Sequence, residues 1–252
     1  MINKNLGSKN KKNTRMLAFI LTLLIAFGGA FPAYATNVNN NDIIDNSKVA
    51  SIKNYENWLK NNCSTDEKDL EKFQRLTEKQ KVKFINYLND PELLVNALST
   101  SLEPGESKNF DANDDILVTL SETIEPINTS SQQDSLSSIA TEEFRKASYI
   151  KSVSFFGVKV LEVTSWIRYS HDGESIIEIQ GSAHYTSVNY NPLLSSEWTD
   201  PVTWGEDGDT AYSTADVVFG AFIEGYGIKY GSGESLVWGD IYNDAGGHVV
   251  EN

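Results

Sequence analysis

The chain has 252 residues, 40% of them hydrophobic, and carries 21 Lys and Arg against 35 Asp and Glu, a formal charge of −14. That balance excludes a nucleic-acid binder, whose phosphate contacts need a basic surface, and adhesion to anionic lipid through charge alone. A single cysteine, Cys63, excludes an intramolecular disulfide, so stability must come from a hydrophobic core.

Residues 1–35 read as a secretion signal. Lys4, Lys9, Lys11, Lys12 and Arg15 form a positive region with no acid, "MLAFILTLLIAFGGA" is the apolar stretch, and Ala33-Tyr34-Ala35 supplies small residues for cleavage. The long basic region resembles those of Gram-positive exported proteins. Cleavage removes five cations, leaving 16 Lys and Arg against 35 acids, a charge near −19. No second apolar span follows, so the expected location is extracellular, with no stable membrane anchor after processing.

Residues 36–47 are polar and Asn-rich and read as a flexible leader. A helical segment is expected over 48–103. Ser47 is a candidate cap for a helix carrying Val49, Ile52, Tyr55 and Leu59, and a second helix near Thr65 presents Leu70 and Phe73. Thr77 and Gln80 make a capping box ahead of Val82, Ile85 and Leu88, and Asp90-Pro91 opens a short helix with Leu94 and Leu98.

A β-rich domain follows over 110–252, with a Ser/Gln/Asn-rich connection near 126–140. Strands are expected near 158–169, 175–187, 211–223 and 234–242. The fold class is therefore α+β: an N-terminal helical segment packed on a C-terminal antiparallel β-sandwich or flattened barrel.

"IRYSHDGESIIEI", residues 167–179, raises the question of a His-Asp catalytic pair. Odd positions are apolar in both arms: Leu161, Val163, Ile167 and Tyr169, then Ile177, Ile179, Ala183 and Tyr185. A three-residue loop at His171-Asp172-Gly173 sets Ile167 opposite Ile177 and Leu161 opposite Ala183, with all of these facing a core. His171 and Asp172 then sit at an exposed tip, and Glu162, Glu178 and His184 share a solvated face. No catalytic residue is assigned.

The loop over 189–209 holds the candidate ligand-binding rings Tyr190, Trp198 and Trp204, which can stack on sugar faces or anchor a protein; the alternative for both Trp is closure of the core's open end. Glu206, Asp207 and Asp209 crowd one turn and form a candidate Ca²⁺ site, the only cofactor expected. The expected function is a secreted, non-enzymatic binding protein for an extracellular ligand, glycan or protein. Two alternatives remain open. One is a membrane-active toxin or bacteriocin-like effector using the Gly/aromatic hairpin of 211–242. The other is a hydrolase of glycan or wall polymer using Glu162, Glu178 or His184.

Overall fold

A computed structural model of the chain describes residues 51–62, 67–110, 114–127, 142–223 and 226–251. The signal and leader segments, Cys63 and most of the 126–140 connection lie outside those residues. The described chain is mixed α+β, with four short helices and two antiparallel sheets.

The helices follow their caps and apolar spacing. Helix α1 (Ile52–Asn62) buries Tyr55 and Leu59, one turn apart on one face. Its first turn is held by Ser51, whose Oγ accepts from the Asn54 amide at 3.2 Å; Ser47 lies outside the described residues. Helix α2 (Glu67–Arg75) buries Phe73, and Leu70 packs beside the core. Helix α3 (Glu78–Leu88) starts with the expected Thr77–Gln80 box and buries Phe84, Ile85 and Leu88, while Val82 turns outward. Asp90 caps α4 (Pro91–Leu98) through the Leu93 amide, with proline where its missing N–H costs nothing.

Tyr55, Phe73, Phe84 and Phe155 form a ring cluster with centroids 5.1–5.6 Å apart, carrying the helices onto a strand. Polar bonds fix the same junction. The Tyr55 hydroxyl donates to the Tyr190 carbonyl at 2.8 Å, and the Asn191 side-chain Nδ2 to the Leu88 carbonyl at 3.0 Å. One hydrophobic cluster therefore runs from the helices into both sheets.

The first sheet orders β1 (Ser107–Asn109), β2 (Ile116–Pro126), β3 (Glu143–Phe155), β4 (Val158–His171) and β5 (Ile176–Asn189) as consecutive neighbours. The second runs β10 (Ala245–Glu251), β9 (Tyr226–Asp240), β8 (Thr210–Ile223) and β6 (Ser195–Trp198), with β7 (Val202–Trp204) also on β8. The two short strands β6 and β7 occupy what the sequence reads as one long loop. The β8–β9 pair continues to Ile223 opposite Tyr226. That is beyond the last rungs of β6, at Gly220, and of β10, at Gly233.

The sheets meet through small residues. A Cβ on Gly239 would lie 2.6 Å from Ala147 Cβ and 2.8 Å from the Tyr169 hydroxyl, and one on Gly247 would lie 2.7 Å from the Tyr149 ring. The Tyr169 hydroxyl donates to the Asp240 carbonyl at 2.8 Å, and Arg145 reaches the Asp240 and Ile241 carbonyls at 3.1 and 2.8 Å.

The β4–β5 register corrects the sequence reading. Ile167 pairs with Ser182 and Leu161 with Asn189, not with Ile177 and Ala183. The loop is four residues, Asp172–Ser175, with His171 opposite Ile176. The Asp172 carboxylate accepts from the Glu174 and Ser175 amides, each at 2.9 Å, which closes the bend. Three irregularities, at Glu162/Val163, Arg168/Tyr169 and Ser170/His171, shift the pairing, and each extra residue exchanges the faces of the residues beyond it. From Leu161 onward, odd positions of β4 point inward. On β5 Ile177 and Tyr185 are exposed, at 45% and 43%, while His184 is buried.

Candidate functional site

His171 is buried, contrary to the exposed tip expected for it. Its ring follows Tyr169 on the inner face of β4, and the Gly173 amide donates to Nδ1 at 3.1 Å. That assigns the ring proton to Nε2, which faces the Glu143 carboxylate at 3.6 Å without a hydrogen bond. Burial is the main cause that lowers its pKa, followed by the positive Arg145 nearby. No serine or cysteine is bonded to this imidazole among the described residues.

His184 is also inside. Its Nε2 lies 2.9 Å from Ser213 Oγ and its Nδ1 3.2 Å from Ser235 Oγ, and Ser235 meets Ser165 at 2.7 Å. Ser165, Ser213 and Ser235 have no exposed surface. Burial pushes the imidazole pKa down to about 4. A neutral ring offers one donor and one acceptor, which rotating hydroxyls complement. The chain of bonds spans the two sheets and is buried.

The carboxylates grouped with it are elsewhere. Glu162 is held by Lys159 and by the Ser187 hydroxyl. Glu178 pairs with Ser170, eight strand positions from Glu162, or roughly 26 Å. That is far outside the separation used by carboxylate pairs in glycoside hydrolysis.

The three candidate rings separate. Tyr190 is buried, with its carbonyl accepting from Tyr55 and its amide donating to the Val160 carbonyl. Trp198 is half-buried. It stacks on His184 with centroids 6.4 Å apart and meets Phe219 edge-on, and its Nε1 donates to the Thr186 and Ser196 hydroxyls at 3.3 Å. Trp204 is outside, 44% exposed, with its ring parallel to Tyr212 at 5.3 Å and 5°.

Register extends that pair into a row. Trp204 lies opposite Tyr212, Tyr212 opposite Trp238, and Trp238 opposite Gly246. All four face away from the first sheet, because the alternating residues Ser213, Val237 and Gly247 face it. The Trp238 indole lies over β10: a Cβ at Gly246 would come within 2.7 Å of it. The next rung holds Val202, Thr214, Leu236 and His248, with Val202 62% exposed. The rung beyond sets Asp216 opposite Glu234, and His248 Nε2 is 3.7 Å from the Glu234 carboxylate. Sequence reading missed Tyr212 and Trp238. Their signal was the alternation Thr210, Tyr212, Thr214, Asp216 against Glu234, Leu236, Trp238, Asp240, which only cross-strand pairing turns into one surface.

The turn bearing Glu206, Asp207 and Asp209 docks on the start of β5. The Ile176 amide donates to the Gly208 carbonyl at 2.7 Å, and the Asp207 amide to the Ile176 carbonyl at 3.0 Å. Glu206 accepts from the Ile179 amide at 3.4 Å, and Asp209 from the Thr210 hydroxyl at 2.9 Å. Among the described residues no group of three His, Cys, Asp or Glu is arranged to hold a metal ion. No helix among them is long and apolar enough to cross a membrane. Comparison with protein-family models, with curated proteins and with solved structures finds no match.

Proposed function

We propose that the chain is a secreted, non-enzymatic binding protein that holds an extracellular ligand on the outer face of the β7–β8–β9–β10 sheet. The reading takes the two sheets as layers of a β-sandwich with the helices closing one end. The inter-sheet serine–histidine bonds and the junction at Tyr55, Phe84 and Phe155 support it. Secretion rests on the basic, apolar and small-residue succession of residues 1–35.

One observation carries the binding role: the parallel Trp204–Tyr212 pair, in line with Trp238, on a rigid sheet face. Trp204 and Tyr212 stack on each other, so a ligand would meet the ring surface that this stack leaves open together with the Trp238 indole. Aromatic surface supplies large apolar contact at small entropic cost, and such rings dominate binding energy where they occur. Rings on strands are also better placed than rings on a loop. The experiment is retention of the mature protein on cell-wall glycan and on whole bacteria, comparing wild type with Trp204→Ala and Trp238→Ala. Loss of retention with an unchanged circular dichroism spectrum is expected. Equal retention by the double variant excludes this face.

The second reading, a membrane-active effector, draws on the β8–β9 ribbon that outruns its neighbours and on Ile228, 65% exposed near its end. Liposome dye release tests it, and no release in any lipid composition or pH counts against it.

A further inference from the structure

We infer that the ligand of this aromatic row is a glycan bearing free amino groups, held by ring stacking and by the carboxylates that bracket the row. The inference rests on the binding role proposed above and assigns the chemistry of the ligand.

The apolar rungs are bordered by acid on both sides. Along β8 and β9 the rung after Val202, Thr214, Leu236 and His248 is Asp216 opposite Glu234, and Glu197 lies opposite Val218 one rung further. On the other side of the Trp204–Tyr212–Trp238 rung comes Asp240, opposite Thr210. The Asp240 carboxylate also accepts from the Tyr242 and Asp244 amides at 2.8 and 2.7 Å, so the open carboxylates are those of Asp216 and Glu234. Like charges directly opposite on a sheet face repel one another. Asp216 and Glu234 are nevertheless held so, with the half-exposed His248 as their neighbour.

Among the described residues of β6–β10, no lysine or arginine lies beside them on this face. Residues 195–252 contain eleven Asp and Glu, one Lys and no Arg. That Lys229 pairs with Gly220 on the projecting ribbon, nine positions along β9 from Trp238, or roughly 30 Å. An anionic ligand would therefore meet repulsion from Asp216 and Glu234, and a neutral one would leave the opposed carboxylates as they are. A ligand with spaced ammonium groups relieves the repulsion, and ammonium over a Trp or Tyr face gains further attraction.

The row fixes the rest of the ligand. Three rings on adjacent strands span two strand spacings, about 10 Å, which matches the length of a disaccharide. Sugar C–H faces fit flat rings, and the Asp216–Glu234 rung lies four residues along β8 and β9 from Tyr212 and Trp238, roughly 13 Å, within reach of the amino groups of a linear chain a few sugars long that runs from the rings along the strands. A basic peptide shares the charge but not the repeating flat apolar face.

The test uses the mature protein and measures affinity by calorimetry at mildly acidic pH and low salt, where sugar amines carry charge. The probes are a glucosamine oligomer, its fully N-acetylated counterpart of equal length, and an oligolysine. The glucosamine oligomer is expected to bind roughly tenfold tighter than the N-acetylated one, the sum of two exposed charge pairs. That preference should vanish in Asp216→Asn/Glu234→Gln, whose sites are on the surface, while Trp204→Ala weakens both glycans. Equal affinity for the two glycans, or a preference that survives in the acid double variant, overturns the amino-glycan assignment and leaves the aromatic platform standing. Oligolysine binding as tightly as the glucosamine oligomer also overturns it. If neither glycan binds, or Trp204→Ala binds both like wild type, the platform reading fails as well.

Discussion

Acidification through the range from about pH 6.5 to about 4 should remove a defined share of the fold's stability through His184. The ring is 7% exposed between Ser213, Ser235 and Trp198, and burial lowers its pKa from 6.5 to about 4. Between those values the unfolded chain holds a proton that the native ring refuses, so unfolding takes up protons and stability falls as pH falls. The contribution is complete above about pH 6.5 and gone below about pH 4. At about 1.4 kcal/mol per tenfold change in proton concentration, the gap amounts to about 3 kcal/mol. His171, lowered mainly by its own burial, acts in the same sense, whereas Glu122, raised mainly by burial, acts in the opposite one. Urea unfolding followed by tryptophan fluorescence at several pH values, in wild type and in His184→Gln, isolates the histidine. The free-energy difference between the two proteins should shrink by about 3 kcal/mol across the window. Parallel profiles would refute the argument.

Gly239→Ala should cost about 1–3 kcal/mol, because its Cβ would enter the space of Ala147 and Tyr169 on the facing sheet; thermal unfolding measures it, and adding Ala147→Gly should restore part of the loss. Phe84→Ala should cost about 3–5 kcal/mol, since this fully buried ring touches Tyr55, Phe73 and Phe155 together. Unfolding should remain a single transition, because those rings tie the helices to the sheet; two separated transitions would contradict that coupling.

Local chemistry made the helices readable. Thr77 with Gln80 and Asp90 with Pro91 mark helix starts that need no tertiary information. Inward odd positions of β4 from Leu161 onward were readable for the same reason, whereas before it the irregularity at Val160 places Val158 and Val160 inside. Alternation failed on β5, where same-parity pairing assumed a continuous ladder and three irregularities intervene. His184 thus looked solvated from its neighbours in sequence and is in fact a buried inter-sheet link. The candidate surface was half legible: Trp204 stood out as a loop aromatic, but Tyr212, Trp238 and Gly246 join it only through pairing across residues 204–246. No short window contains that arrangement.

The irregular pairing of β5 has a consequence for behaviour at high concentration. A fourteen-residue border strand is a ready template for another copy of the chain. Here its first residues are engaged by the backbone of the 205–209 turn, and farther along Thr186 binds the Ser196 hydroxyl of the other sheet. The offsets along β4 and β5 also break the flat repeat that a stacking partner would need. The features that hid the register from a reader of the sequence should therefore guard this margin against fibre growth.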